Sequence, residues 1–228
     1  TDSPLTAMRA IEAFCFGVYD FFILPLYQIH LIWLSRFASP LYLSPFKISL
    51  RTHWHPKNPG NLDLSRLNDF VFILVDLIEE NRLKFDFVCG LPHAGEPFAR
   101  IISWISGKPL LRLEKVEKDD GKREIGDMIS HIPFKDNQAV LIVDDLISKG
   151  RTKDEGVSKI ISAGLKAILC VCIDREEGGS KRYKKIGIPF FAGLTAREIL
   201  GLGFIEGRIS PAEYFSCTEY LMGSKKSY

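Results

Sequence analysis

Short apolar segments alternate with helix-like segments from residue 64 to residue 201, and this alternation limits the possible folds more than any other feature. Typical strand-like segments are FDFVC at 85–89 and AVLIV at 139–143. The other expected strands are 110–113, 165–173 and 188–192, and the expected helices are 64–80, 95–106, 152–163, 180–186, 194–200 and a last one beginning at Ser210 and Pro211. Strands and helices in this order predict βαβ units, so we expect an α/β fold in which helices flank a central, mainly parallel sheet.

Composition narrows the class of protein. The chain has 228 residues, 46% of them hydrophobic and 25% charged, which is enough to bury a core without disulfides or a structural metal. A net charge of +2 argues against a protein that coats nucleic acid through bulk positive charge. The five cysteines include no C-x-x-C pair, so we expect free thiols, most of them buried, in a reducing compartment, the cytoplasm.

One apolar segment, FFILPLYQIHLIWL at 21–34, requires a membrane check. It is shorter than the roughly 20 residues that a membrane-spanning helix needs. Pro25, Gln28 and His30 also interrupt it. We therefore interpret it as a buried or interface segment and expect no membrane partner.

The segment VLIVDDLISKGRT at 140–152 carries the sharpest chemical signal. In parallel sheets, ligands bind beyond the carboxyl ends of the strands, and here a buried strand delivers Asp144 and Asp145 to that position. Backbone N–H groups of the following loop and of the helix start favour a phosphate, whereas the two carboxylates can accept hydrogen bonds from vicinal sugar hydroxyls. The loop residues, with their hydroxyl and charged side chains, are Ser148, Lys149, Gly150, Arg151 and Thr152, and Thr152 is expected to cap the next helix. The segment predicts a sugar phosphate site.

A second unusual segment, residues 112–124, has ten charged residues among thirteen, five basic and five acidic. Such a balanced run is typical of a solvated, mobile loop or hairpin.

These motifs resemble those of a known family. Residues 140–152 resemble the phosphoribosyl diphosphate motif of type I phosphoribosyltransferases, and IDREEGG at 173–179 resembles the corresponding turn of orotate phosphoribosyltransferases. The segments FDFVCGLPHAGEPFA (85–99), SPFKISLR (44–51) and AFCFG (13–17) are also similar to stretches of that family. The charged segment resembles the family's mobile loop, in which Lys115, Lys118, Asp119 and Gly121 match, while Glu114 replaces an Arg and Asp120 a His or Tyr.

The resemblance implies a type I phosphoribosyltransferase fold with a small N-terminal hood. It implies transfer of a 5-phosphoribosyl group from its 1-diphosphate to orotate, with Mg2+ carried by the diphosphate sugar and no metal site of the protein's own. It also implies a homodimer. By resemblance, Lys115, Lys118, Asp144 and Asp145 are catalytic and Ser148 and Arg175 bind orotate. The diphosphate sugar would contact Asp144, Asp145, Leu146, Ile147, Ser148, Lys149, Gly150, Arg151, Thr152, Lys115, Lys118 and Asp120.

The expected organisation is one domain, with 1–63 as hood and N-terminal extension, 64–205 as core and 206–228 as C-terminal helix. Two alternatives stay open from the residues. One is a phosphoribosyltransferase for another nucleobase, in which Arg175 would lack a carboxylate partner. The other is an inactive regulator that senses phosphoribosyl diphosphate, because Glu114 and Asp120 add negative charge to the loop expected beside a diphosphate.

Overall fold

The structure, a computed structural model, describes residues 41–44, 47–50, 64–117 and 123–224. The strands are β1 (Leu41–Ser44), β2 (Lys47–Leu50), β3 (Phe87–Gly90), β4 (Leu110–Glu117), β5 (Arg123–Ile129), β6 (Ala139–Ile147), β7 (Lys166–Asp174) and β8 (Phe190–Thr195). The helices are α1 (Leu64–Glu80), α2 (Glu96–Ser106), α3 (Arg151–Ser162), α4 (Gly179–Lys185), α5 (Ala196–Ile205) and α6 (Pro211–Ser224).

Six strands form one sheet in the order β5-β4-β3-β6-β7-β8. Every neighbouring pair in it is parallel except β4 and β5, which are antiparallel. The expected α/β fold with a mainly parallel sheet is therefore confirmed. The strands β1 and β2 pair antiparallel with each other as a two-stranded sheet.

The central strands β6 and β7 are apolar on both faces because helices cover both sides of the sheet, as parallel sheets require. One face packs against α1 and α2, where Leu74 and Phe98 belong to the core. The opposite face packs against α3, where Val157 and Ile160 lie in a second core cluster. This burial fixes β6, so the residues at its carboxyl end are held rigidly.

The charged segment 112–124 largely forms an antiparallel hairpin, in which Lys115 pairs with Ile125. Leu113 is buried, whereas Val116 and the charged residues Arg112, Glu114, Lys115 and Glu124 are exposed, because α3 covers only one face of this edge of the sheet. The alternative of a hairpin, left open by the sequence, is the correct one. The residues at its tip, 118–122, lie outside the described part of the chain.

The expected cap of α3 was wrong. Gly150 is the N-cap residue, with φ of 77°, and Thr152 falls inside the first helical turn. Glycine adopts this left-handed conformation without strain, so the helix can begin directly after it. Ser210, in contrast, caps α6 as expected, since its hydroxyl accepts from the N–H of Glu213 at 3.3 Å.

Within the described ranges, no helix has the length and apolarity that crossing a membrane demands. The apolar segment 21–34 lies outside those ranges.

Candidate active site

Two adjacent carboxylates lie at the carboxyl end of β6, between β3 and β7. Asp144 and Asp145 are only 4% and 9% exposed. The N–H of Asp145 donates to Asp144 Oδ1 at 3.0 Å, and the N–H of Leu146 donates to Asp145 Oδ1 at 2.7 Å. Each carboxylate thus has one oxygen fixed by the backbone, and both are brought to the edge of the sheet that the sequence predicted.

A lysine that sequence reasoning missed contacts this pair. Lys153 Nζ lies 2.6 Å from Asp144 Oδ2, and the Lys153 side chain is 13% exposed. Burial raises the pKa of Asp144 to about 7, Lys153 counteracts that rise, and the negative charge of Asp145 adds to it. The one available sequence signal was a basic residue in the first turn of a helix, where the helix dipole disfavours it.

The loop from Ser148 to Gly150 joins these carboxylates to α3. The Ser148 carbonyl accepts from the N–H of Gly179 at 3.0 Å, and the Lys149 side chain is exposed. Leu146 packs against one core cluster and Ile147 lies within the other, so these two residues offer a ligand only their backbone. Arg151 and Thr152 begin α3, and their side chains lie outside the described part of the chain. The free N–H groups of a helix start therefore follow directly on the carboxylates.

Helix α4 supports this loop from the side. Asp154 Oδ1 accepts from Arg182 Nη2 at 2.5 Å and from the Tyr183 hydroxyl at 2.8 Å. A side chain at Gly150 would meet the Arg182 guanidinium and the Tyr183 ring. These contacts link α3 to α4 across the loop, and neither Arg182 nor Tyr183 was singled out from the sequence as part of the site.

The turn after β7 places Arg175 beside the same loop. The N–H of Arg175 donates to the Ile147 carbonyl at 2.9 Å, so Arg175 and Ser148 follow two adjacent strand ends. Its side chain is 16% exposed, and Nη2 lies 2.7 Å from Glu177 Oε1. Arg175 Nε is buried and has no hydrogen-bond partner among the described residues. A buried donor without an acceptor is costly, so this N–H is available to an oxygen of a ligand or of a water molecule.

The turn between β3 and α2 lies against β6 on the other side. The N–H of Leu91 donates to the Val143 carbonyl at 3.3 Å, and the N–H of Gly95 donates to the Leu91 carbonyl at 2.8 Å. A side chain at Gly95 would lie 2.5 Å from Leu91 N and would also meet the Val143 carbonyl oxygen. This approach requires glycine and brings the backbone of the turn next to Asp144.

The predicted loop residues are not all brought to this edge. Lys115 and Glu114 lie on β4, which is separated from β6 by β3, and both side chains are exposed. Lys118 and Asp120 lie outside the described residues. Their predicted contacts with a diphosphate stay predictions.

Asp144 already contacts Lys153, and the described residues contain no group of three His, Cys, Asp or Glu side chains that could hold a metal ion. The expectation that Mg2+ is carried by the diphosphate sugar stays a prediction.

Comparison with known proteins identifies the family. The Phosphoribosyl transferase domain family matches residues 66–191, more than half of the chain. An orotate phosphoribosyltransferase of Sulfurisphaera tokodaii is 30% identical over 173 residues, which cover 72% of this chain and 85% of the relative. A transcriptional regulator, GfcR, of Picrophilus torridus is 30% identical over 140 residues, which cover 60% of this chain and 65% of the relative.

Among solved structures, the UMP synthase of Leishmania donovani matches with a TM-score of 0.62 and 25% identity. The match covers 87% of this chain and 43% of that longer chain. These similarities agree with the mainly parallel sheet flanked by helices. The chain therefore belongs to the phosphoribosyltransferase family of enzymes.

Proposed function

We propose that the chain is an orotate phosphoribosyltransferase, which transfers the 5-phosphoribosyl group of phosphoribosyl diphosphate to N1 of orotate. The products are orotidine 5'-phosphate and diphosphate, a step of pyrimidine biosynthesis. The observation that carries this proposal is the meeting, at one sheet edge, of two buried carboxylates, a helix start and an arginine whose buried Nε has no acceptor among the described residues.

Each half of the site suits one part of the substrates. Asp144 and Asp145 accept hydrogen bonds from the ribose hydroxyls, and the backbone from Ser148 to Thr152 surrounds the 5-phosphate. Arg175, together with Ser148, orients orotate, because a planar guanidinium matches the orotate carboxylate. Lys115 and Lys118 stabilise the charge that develops on the leaving diphosphate. Since orotate is already an anion, the site acts by positioning and electrostatics and needs no strong base.

Mg2+ enters this scheme as part of the substrate, bound to the diphosphate, where it neutralises charge on the leaving group. The proposal further includes a homodimer in the cytoplasm and one catalytic domain, with residues 1–63 as its hood and N-terminal extension. The cytoplasmic assignment is supported by the four described cysteines, which are free and buried.

The decisive experiment is an assay of orotate-dependent diphosphate release with Mg2+ present. We expect turnover in the wild type and a loss of about 10²- to 10⁴-fold in a D144N/D145N variant, because each charge-assisted hydrogen bond contributes roughly 1.5–3 kcal/mol. D145N alone is the cleaner variant, since it leaves the ion pair between Asp144 and Lys153 in place.

The matched control is D127N, which removes a carboxylate that is 92% exposed on β5. It should retain wild-type turnover, and circular dichroism should report native helix content in all variants. Full activity of the folded double variant would disprove the site assignment.

One observation favours a second candidate, a regulator that binds phosphoribosyl diphosphate without turnover. The similarity to the Picrophilus regulator covers 60% of the chain, and the exposed Glu114 stands where the family pattern has an arginine. Tight binding of the diphosphate sugar in calorimetry, with no diphosphate release on orotate or any other base, would favour this second function.

A further inference from the structure

Lys153 occupies a position that its own helix disfavours. It is the third residue of α3, where the positive end of the helix dipole repels a cation. Its side chain nevertheless lies largely out of water, at 13% exposure. A buried cation in an unfavourable position needs a specific partner, and that partner is Asp144.

The contact with Lys153 completes the fixation of the Asp144 carboxylate. Oδ2 of Asp144 lies 2.6 Å from Lys153 Nζ, and Oδ1 accepts the N–H of Asp145 at 3.0 Å. Both oxygens are therefore held by groups from two different elements, β6 and α3. Each oxygen keeps further lone-pair directions for a ligand, but the plane of the carboxylate is set before the ligand arrives.

The surroundings of Asp144 mostly disfavour the ionised form of its carboxyl group. Burial raises the pKa of Asp144 most, the adjacent Asp145 raises it further, and Lys153 lowers it by its charge and by its hydrogen bond. Cys172 approaches from β7, but burial holds its thiol pKa well above the ordinary value, so it stays neutral. Of these groups, Lys153 is the cation that favours the charged carboxylate.

We propose that Lys153 is a positioning residue for the phosphoribosyl site: it keeps Asp144 ionised and oriented, so that this carboxylate accepts hydrogen bonds from the sugar hydroxyls. The inference rests on the proposed function, because it takes the ligand to be a diphosphate sugar. Lys153 acts through Asp144 and not by contacting the ligand.

This role makes binding dependent on pH in a defined direction. Only ionised Asp144 is an acceptor on both oxygens, so affinity falls as pH drops through the pKa of about 7. Without Lys153, Asp144 would take up its proton at higher pH. The loss of affinity on acidification would therefore begin at higher pH. Had Lys153 contacted the ligand directly, its removal would weaken binding by the same factor at every pH.

The test is calorimetric titration of phosphoribosyl diphosphate with Mg2+ into the full chain between pH 6 and pH 9. In K153M we expect affinity to fall by about 5-fold at pH 7, with the midpoint of the pH dependence about one unit higher and the deficit shrinking toward pH 9. K153R, which keeps the charge, should restore most of the affinity and the original midpoint. K153Q keeps a hydrogen-bond donor without the charge. It replaces K153M in the titration if K153M does not fold.

The matched control is K159M, because Lys159 is an exposed lysine of the same helix that pairs with Asp127 on the surface. It should leave both the affinity and the midpoint unchanged. A midpoint in K153M and K153Q equal to that of the wild type would overturn the proposal, as would an equal, pH-independent loss in K153M and K153R.

The same titration separates this inference from the proposed function, because binding needs no orotate. A wild type that binds the diphosphate sugar, yet turns over no orotate, would overturn the proposed function while the shift in K153M still supports the role of Lys153. A wild type that does not bind the diphosphate sugar at all would overturn both.

Discussion

Asp144 combines a functional requirement with a cost to folding. A carboxyl group has an ordinary pKa of 3.8, and burial raises that of Asp144 to about 7 in the folded protein. A group whose pKa is higher in the folded state stabilises the fold at low pH, and that contribution is lost as pH rises through the folded-state value. The protein therefore gives up stability between about pH 4 and pH 7 in order to hold a charged acceptor in its site.

We expect a D144N/K153M double variant to recover this stability, because neutral side chains replace a buried ion pair. At pH 8 its free energy of unfolding should at least equal that of the wild type and can exceed it by about 1–4 kcal/mol. The difference between the two proteins should be smaller at pH 4.5. Each single variant should be less stable than the double variant, since it leaves one buried partner alone. Urea unfolding at both pH values measures this, and a double variant less stable than both singles would contradict it.

Some residues of the candidate site could be predicted from the sequence, and others could not. Asp144, Asp145 and residues 148–152 lie within nine positions of the chain, so a strand followed by a helix fixes their neighbourhood, and Arg175 was predicted from its motif. Lys153 follows Asp144 by nine residues and meets it only because α3 folds back over the end of β6. Arg182 reaches the loop from a separate helix. Such contacts depend on tertiary packing, which residue patterns do not contain.

The turn between β3 and α2 is an element whose geometry leaves no room for a side chain. We expect G95A to lower the free energy of unfolding by about 1–3 kcal/mol, since a methyl group would press on the backbone of Leu91 and on the Val143 carbonyl beside the site. It should also weaken binding of the diphosphate sugar, because the displaced backbone adjoins Asp144. Thermal or urea unfolding, with the calorimetric titration, measures both effects.

A second glycine, at which a side chain would meet no obstacle, provides the control for G95A. Gly201 lies within α5, and a side chain there would meet no atom within 4 Å. G201A should therefore stabilise the protein by about 0.5–1 kcal/mol, because alanine favours a helix interior more than glycine does. If both variants lost stability equally, the steric explanation for Gly95 would be incorrect.

At the level of elements, the type of each segment followed from the sequence more reliably than its ends did. Strand β6 runs to Ile147, four residues beyond the expected apolar run, because Leu146 and Ile147 continue to pair with β7. Strand β5 was expected only within a charged loop or hairpin, since its charges masked the buried Ile125. In both cases pairing with a neighbouring strand overrode the local pattern of polarity.

For the molecule as a whole, the strand order explains why the site is shared between distant parts of the chain. The order β3-β6-β7 sets the turn after β3, the carboxylates after β6 and Arg175 after β7 side by side. The hairpin of β4 and β5 lies at the edge of the sheet, and the residues that join the two strands, 118–122, lie outside the described part of the chain. We propose that in the homodimer the loop containing Lys118 closes over the site of the partner subunit.

That arrangement predicts complementation between inactive variants. K118A lacks a functional loop and D145N lacks a functional site, yet a mixed dimer would contain one intact combination. After equal mixing and subunit exchange we expect about a quarter of wild-type turnover, because half of the dimers are mixed and each has one complete site. A mixture of D145N with D144N should remain inactive, and no recovery in the first mixture would indicate that the loop serves its own site.

The complete burial of Val140–Val143 has a consequence for the timing of motion. Amide hydrogens in such a strand exchange with solvent only when the domain unfolds as a unit, whereas those of exposed segments exchange through small local openings. The carboxylates are thus attached to one of the slowest-opening parts of the molecule. The fluctuations that admit and release substrates must then arise at the sheet edge and in the turns, which can open while the acceptors keep their positions.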